Sequence, residues 1–459
     1  MRAGRSHLYL AAVAVLAAAF GVLVAAPARP VRATAPPAPS PVAYSGPAGS
    51  LSSAWYCVGA VARGAGSGTV LVADLGRRPL VAVVSASGRS TARRVRVGGL
   101  GQVAVPLAGA ARSGDVAATV LVRSASATVA LRAGTGASRS EVPCAREVSS
   151  DWYLAAGSTS GGSDLLVDLY DPLPTASVVD LSFATSAGER SPADYQGIVV
   201  GPRSVQRVDV GRRVLGSSVL AVTAHARVGQ VVAGARVTDG AGETTLAPAS
   251  PAAAPDWYVP AGIDGSGAVQ EYTVYDPSPR PARVSVRLQP VSGPAVSFEL
   301  DLRGGQVRRV VSGQRRGVPE GEVYSATFRS RTGVVVESSL QTRPPSRYKG
   351  WAISLGSPAA ARGWAVAPAA SPESGALREL VLQAPSGAPV RASLRPWSAA
   401  GTARQVVVAA GVPLVVDLGS LDPHGSGLTV SAGSPLVVEE VRLQKAQGDS
   451  ERLATVLGG

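Results

Sequence analysis

From residue 51 onward, apolar and polar positions alternate in short runs punctuated by Gly, Pro, Ser and Asp. In LLVDLYDPLPTASVVDLSF, Leu165 to Phe183, one run ends at Asp171-Pro172 and an alternating run follows. EYTVYDPSPRPARVSVRL, Glu271 to Leu288, repeats that arrangement around Asp276-Pro277. TVLVADLGRRPLVAVVSA from Thr69 and ELVLQAPSGAPVRASLRP from Glu379 are their counterparts. Period-two alternation buries one face and wets the other, so these runs predict β-strands. A middle hairpin recurs as RRVRVGGLGQVAVPL, GIVVGPRSVQRVDV, FELDLRGGQVRRVV and RQVVVAAGVPLVVDL, and a closing pair of strands follows each. Turn signals spaced about every 8–12 residues belong to β-sandwiches. No helical period is found after the N-terminal region.

A Trp leads each unit: Trp55, Trp152, Trp257 and Trp364, at spacings of 97, 105 and 107 residues. Repeats of this length, with about seven short strands each, predict an all-β chain of four tandem immunoglobulin-like β-sandwich repeats of about 100 residues, after an N-terminal hydrophobic helix. The expected repeats are 51–147, 148–240, 256–342 and 363–446, with linkers at 241–255 and 343–362 and a polar tail at 447–459. Gly350-Trp351-Ala352 resembles Gly363-Trp364-Ala365, which leaves two candidate starts for the fourth repeat.

The N-terminus changes the picture. Arg2, Arg5 and His7 precede an unbroken apolar run, Leu8 to Ala26. Such a run is longer than a usual signal-peptide core and just reaches the length of a spanning helix, so 1–26 is a signal peptide or a signal anchor. Charge before the run keeps the N-terminus inside and sends the rest out. Residues 27–50 are rich in Pro and Ala and form an expected extended spacer. In an exported chain the pair Cys57 and Cys144 predicts a disulfide, worth roughly 4–5 kcal/mol on a chain-entropy account.

The net charge of +13 comes from Arg scattered singly or in pairs, without a basic helix or interleaved aromatics. That pattern argues against nucleic acid as a partner and reads as a compositional bias. Contact with anionic envelope polymers or lipid heads is the functional alternative.

The Trp-Tyr-x-x-x-Gly start, the strand ending in Asp-Pro and the Pro-Ala-x-Val-x-Val strand together resemble a domain-of-unknown-function family of secreted actinobacterial proteins. The resemblance covers roughly 51–446. It is best in the second and third units; the first has Asp74 without the Pro, and the fourth has Ala384-Pro385. It implies an exported envelope location and no particular activity.

Candidate chemistry is sparse. Asp164, Asp168, Asp171 and Asp180 could be weighed as calcium ligands, but Asp171-Pro172 reads better as a side-chain-capped turn, and so does Asp276. Neither a metal nor a cofactor is expected. A Ser-His-Asp triad needs a usable His, and outside the targeting segment only His225 and His424 exist. The Gly157 to Gly162 loop lacks the Lys and following helix of a phosphate cradle. No catalytic residue is therefore assigned. Trp55, Trp152, Trp257 and Trp364 are expected as core or junction plugs. Tyr56, Tyr153 and Tyr258, pointing the other way, are expected to form an exposed row for a ligand or partner. The resulting expectation is a non-enzymatic extracytoplasmic scaffold that meets an envelope protein or a cell-wall polymer and reaches the membrane through residues 8–26. The alternatives are a carbohydrate- or wall-polymer-binding module and an envelope enzyme.

Overall fold

The alternating runs become strands of two-layer units, and one pairing scheme recurs four times along the chain. In the segment led by Trp152, one sheet runs Asp151–Gly157, Leu220–Val228, Ser177–Thr185, with Gly188–Arg190 and Ile198–Val200 on the far side of Ser177–Thr185. The facing sheet runs Ser204–Asp209, Asp164–Asp171, Val232–Thr238, Thr244–Pro248. The inward positions, among them Leu165, Val167, Leu181, Phe183 and Val222, form its buried core. The first segment has the same order: Ser53–Val61, Asp115–Val122, Leu80–Ala86, Arg93–Val97 against Gln102–Pro106, Thr69–Asp74, Ala127–Thr135, Ser138–Pro143.

In the third and fourth segments the two expected closing strands are one long strand. The first half of Val323–Thr342 pairs with Ala254–Ile263 and Ala282–Pro290; the second half pairs with Ala268–Tyr275 and Tyr348–Leu355. Leu428–Lys445 likewise pairs with Ala361–Val366 and Val390–Pro396, then with Leu377–Gln383 and Ser450–Thr455. A strand that leaves one layer and enters the other makes a sandwich corner. The chain is thus all-β and β-sandwich-like in this computed structural model. The model describes residues 43–44, 52–62, 67–89, 91–109, 114–124, 126–135, 138–186, 188–346, 348–368, 377–385, 387–398, 401–445, 450–455 and 457–458. The N-terminal hydrophobic segment, 1–26, and nearly all of the spacer lie outside the described residues. Among the described residues, no helix is long and apolar enough to cross a membrane.

Three boundary expectations are corrected. The linker 241–255 contains the strand Thr244–Pro248, the linker 343–362 contains Tyr348–Leu355, and the tail contains Ser450–Thr455. Their Pro, Ala and polar content suggested spacers. Yet each supplies the last strand of a second sheet, and Leu246, Ala247 and Ile353 of these strands are buried in the hydrophobic cores.

The leading Trp residues are buried plugs, as expected. Trp152 donates its indole N–H to the Val231 carbonyl at 2.7 Å, Trp257 to Val334 at 2.7 Å, and Trp364 to Leu436 at 2.9 Å. Trp55 departs and donates to Ser53 Oγ at 3.3 Å. A buried indole needs such an acceptor. The recurrence places the start of the fourth segment at Trp364, not Trp351. The Cys57–Cys144 disulfide forms, with the Cα atoms 4.6 Å apart, and ties the first strand to the end of the first segment.

The segments also close on one another. Thr244–Pro248 touches Ser138–Pro143 on one side and Tyr348–Leu355 on the other, and Ser450–Thr455 completes the circuit by touching Tyr348–Leu355 and pairing in parallel with Ser138–Pro143. Ala365, Ala367 and Trp397 of the fourth segment belong to the hydrophobic core of the first. Gln102 Nε2 donates to the Pro368 carbonyl at 3.4 Å across that closing contact.

Candidate functional site

The junctions between segments are built by one recurring device. The backbone of Tyr56 exchanges two hydrogen bonds with Ala145, that of Tyr153 with Ser250, and that of Tyr258 with Ser357. Each tyrosine side chain is half-buried against the core of the next segment: Tyr56 on the second, Tyr153 on the third, Tyr258 on the fourth. Burial raises the phenol pKa of all three. The exposed tyrosine row is therefore corrected. Alternation does turn these rings away from their own sandwich, but the face they reach is the junction and not solvent. Sequence periodicity sees only one layer at a time and could not reveal the neighbour.

Polar groups lock the same faces. Thr119 and Tyr170 share a hydroxyl–hydroxyl bond of 2.7 Å between the first and second segments, and Thr223 and Tyr275 repeat it between the second and third. Gln383 Nε2 donates to Thr327 Oγ1 at 2.9 Å between the third and fourth. Glu337 reaches back to accept the N–H groups of Ala155 at 2.7 Å and Ala156 at 2.8 Å, at a β-bulge in Asp151–Gly157. Glu439 accepts from Ala261 N at 2.9 Å at the matching bulge in Ala254–Ile263. Burial raises each carboxyl to about 7, against the pull of those N–H donors.

The aspartates do not assemble. Asp171 accepts from Leu173 N and Ser177 Oγ, both at 2.7 Å, and Asp276 accepts from Ser278 N at 2.9 Å and Ser278 Oγ at 2.7 Å. These are the expected capped turns. Asp168 is buried and holds Arg207 at 2.7 Å and 3.0 Å; Arg207 also pairs with Asp115 of the first segment. Asp180 bonds Gly197 N and Arg227, each at 2.7 Å. Among the described residues, no cluster of metal-ligating side chains forms. His225 Nδ1 lies 2.7 Å from Asp151 Oδ1, and Ser150 Oγ donates to Asp151 Oδ2 at 2.7 Å. The Asp sits between Ser and His here, so the imidazole does not take a proton from the hydroxyl as a triad requires.

A cleft of about 320 Å³ opens at the junction of the second and third segments. Its floor is a cross-strand row, Val269, Gln341 and Trp351, with Glu271 and Ser339 in the next row. Asp239 and the Ser158 loop line the opposite wall. Trp351 donates to Ser339 Oγ at 2.8 Å, which fixes the indole. Gln341 Nε2 donates to Asp239 Oδ2 at 2.8 Å, and Arg343 pairs with the same carboxylate. Burial works to raise Asp239, but bonds from Gln341, from the Glu243 and Ala241 N–H groups and the charge of Arg343 prevail and hold it low. Glu271 and Arg309 pair at 3.5 Å. An aromatic wall with balanced, paired charges suits a neutral, hydroxyl-rich ligand better than an ion. In the sequence Trp351 reads only as a rival repeat start, because Asp239, on the facing wall, is more than a hundred residues from it along the chain.

Among solved structures, the chain is similar to Thermotoga maritima 1070 at 15% identity, covering 23% of this chain and 93% of that one with a TM-score of 0.21. It is also similar to a tetra-tandem repeat in the extending region of a large adhesion protein at 11% identity, covering 88% and 99% with a TM-score of 0.13. Bacteroides uniformis β-glucuronidase follows at 9% identity, covering 53% of this chain and 27% of that one, with a TM-score of 0.11. Scores this low carry no argument about fold or function. No curated protein matches the chain. Residues 109–401, more than half of the sequence, match the family of unknown function DUF5719, and the chain belongs to that family.

Proposed function

We propose that the four segments are immunoglobulin-like repeats of a non-enzymatic, extracytoplasmic scaffold that presents a rigid surface to a partner in the cell envelope. The observation that carries this reading is the use of the chemically capable groups. Glu337, Glu439, Asp168 with Arg207, and the Thr–Tyr pairs are spent on joining segments. The apolar run at 8–26 and the Pro-rich stretch after it support export and attachment to the membrane, or release after cleavage. The Cys57–Cys144 disulfide accords with an oxidising compartment.

A second reading has its own observation, the cleft at Trp351. There the protein would bind a saccharide or wall polymer, with the indole as a platform and Gln341, Asp239, Glu271 and Arg343 as hydrogen-bonding groups. One experiment separates the two. The chain is cosedimented with isolated cell wall at physiological and high salt, beside a Trp351→Ala variant. The scaffold reading expects no pelleting, or pelleting that salt removes and the variant leaves unchanged. Salt-resistant pelleting lost on Trp351→Ala would replace it with the saccharide reading.

A further inference from the structure

The four outer sheets offer an internal comparison at one cross-strand row. In the third segment the row is Asp256, Arg329, Ser285 and Glu299. In the fourth it is Gly363, Ser431, Ser393 and Gln405, and in the second it contains Asp151, His225 and Asp180. The first segment is different: Ala54, Leu121 and Val83 stand side by side, ending at Arg94. Val81, two residues along, stands opposite Arg96. Leu121 is 50% exposed and Val81 40% exposed among the described residues. Residues directly opposite on paired strands share a face, so this is an apolar strip with guanidinium groups along its edge. Arg93 and Arg123 are exposed beside it.

The charge on this sheet is one-sided. Across its four strands the only acid is Asp115, and Asp115 is ion-paired with Arg207 of the second segment. An apolar centre with a basic rim and no free acid matches a surface that is anionic outside and apolar beneath. Position agrees with chemistry. Only residues 27–52 separate the apolar run 8–26 from Ser53, the start of this same sheet.

We propose that the outer face of the first segment, Val81, Val83 and Leu121 with Arg94 and Arg96, rests on anionic lipid headgroups. The proposal rests on the membrane-attached reading for its geometry, but its chemistry stands on the face alone. Arg supplies bonds to lipid phosphates, and the valine and leucine side chains enter the upper acyl boundary.

The test uses the full chain in nanodiscs of phosphatidylglycerol or phosphatidylcholine. An environment-sensitive fluorophore is placed on Val81→Cys or, as a control on the equivalent face of the third segment, on Ser285→Cys. Cys57 and Cys144 are buried and joined, so only the new thiol reacts. The expected result is a blue shift and headgroup-quencher sensitivity at position 81 in phosphatidylglycerol, diminished by salt and in phosphatidylcholine, with position 285 unchanged. Arg94→Glu with Arg96→Glu should reduce the signal at 81 to that at 285 while the chain still co-elutes with the disc. Equal signals at 81 and 285, an equal shift in phosphatidylcholine, or a concentration-dependent shift without lipid would overturn the proposal. A chain that does not co-elute with discs overturns attachment instead. The same probe read with added phosphatidylglycerol vesicles then decides the face by itself.

Discussion

A buried carboxylate that accepts only backbone N–H groups is poised differently from one in an ion pair. Glu337 and Glu439 have no cation among their hydrogen-bond partners, and burial outweighs the N–H donors, raising each from 4.5 to about 7. The folded chain therefore holds protons here that the unfolded chain has released. Stability from these groups is fully present below pH ~4.5 and is lost as pH rises through about 7, by roughly 3 kcal/mol for each group at most. Urea midpoints should thus fall between pH 5 and pH 8 in the wild-type chain. Glu337→Gln should show a smaller fall, and Glu337→Gln with Glu439→Gln the smallest. An unchanged fall in the double variant would mean that other groups set the pH dependence. Some of this scale was legible beforehand. The Trp plugs and the Asp171 and Asp276 turns follow from local rules, because an indole needs burial and an acceptor, and an Asp before Pro caps its own turn. The junction glutamates gave no signal, since their partners lie in another segment more than a hundred residues away.

Strands carry the junctions as much as side chains do. The second segment has Gly234 where the third has Glu337 and the fourth Glu439, counted from the carbonyl that receives the leading Trp. A Cβ on Gly234 would lie 2.6 Å from Val58 Cγ2 of the first segment, so here backbone and side chain pack directly where the later junctions use a carboxylate. Gly234→Ala should destabilise by about 1–3 kcal/mol through overpacking. Val58→Ala in the same chain should recover much of that loss, because the clash is with one β-branched side chain. Additive losses in chemical unfolding would place the cost in the strand itself. Element existence was readable from alternation, but the pairing was not: the two strands of each expected middle hairpin go to opposite sheets, Arg93–Val97 pairing with Leu80–Ala86 and Gln102–Pro106 with Thr69–Asp74. The last strands of the second sheets were not readable either. In Thr244–Pro248 and Ser450–Thr455 the periodic signal is brief and sits among Pro, Ala and polar residues that elsewhere mark spacers. Alternation also could not show that Val323–Thr342 and Leu428–Lys445 run unbroken between layers, since a sheet switch keeps the period of two.

Tandem sandwiches usually invite the picture of a rod, and the contacts between the first and fourth segments contradict it. Trp397 is buried in the hydrophobic core of the first segment, together with Ala365 and Ala367, and its indole donates to Thr429 Oγ1 at 2.9 Å. Thr429 stands opposite Ala365, just as Thr119 stands opposite Tyr56 and Thr223 opposite Tyr153. The fourth segment thus turns its junction face onto the first, with Trp397 doing what the tyrosines do at the other junctions. Closure gives each segment two neighbours, so every junction resists the opening of the others. The consequence is measurable in one substitution. In a rod, Trp397 would stand on a terminal face in water, and Trp397→Ala would change stability by no more than about 0.5 kcal/mol. In the closed arrangement it removes a buried aromatic, and the loss should approach about 3 kcal/mol. Trp364→Ala serves as the reference, because Trp364 is buried within its own segment in either arrangement. Chemical unfolding should then place Trp397→Ala near Trp364→Ala. A Trp397→Ala variant as stable as wild type, beside a destabilised Trp364→Ala, would open the circuit and return the molecule to a linear array.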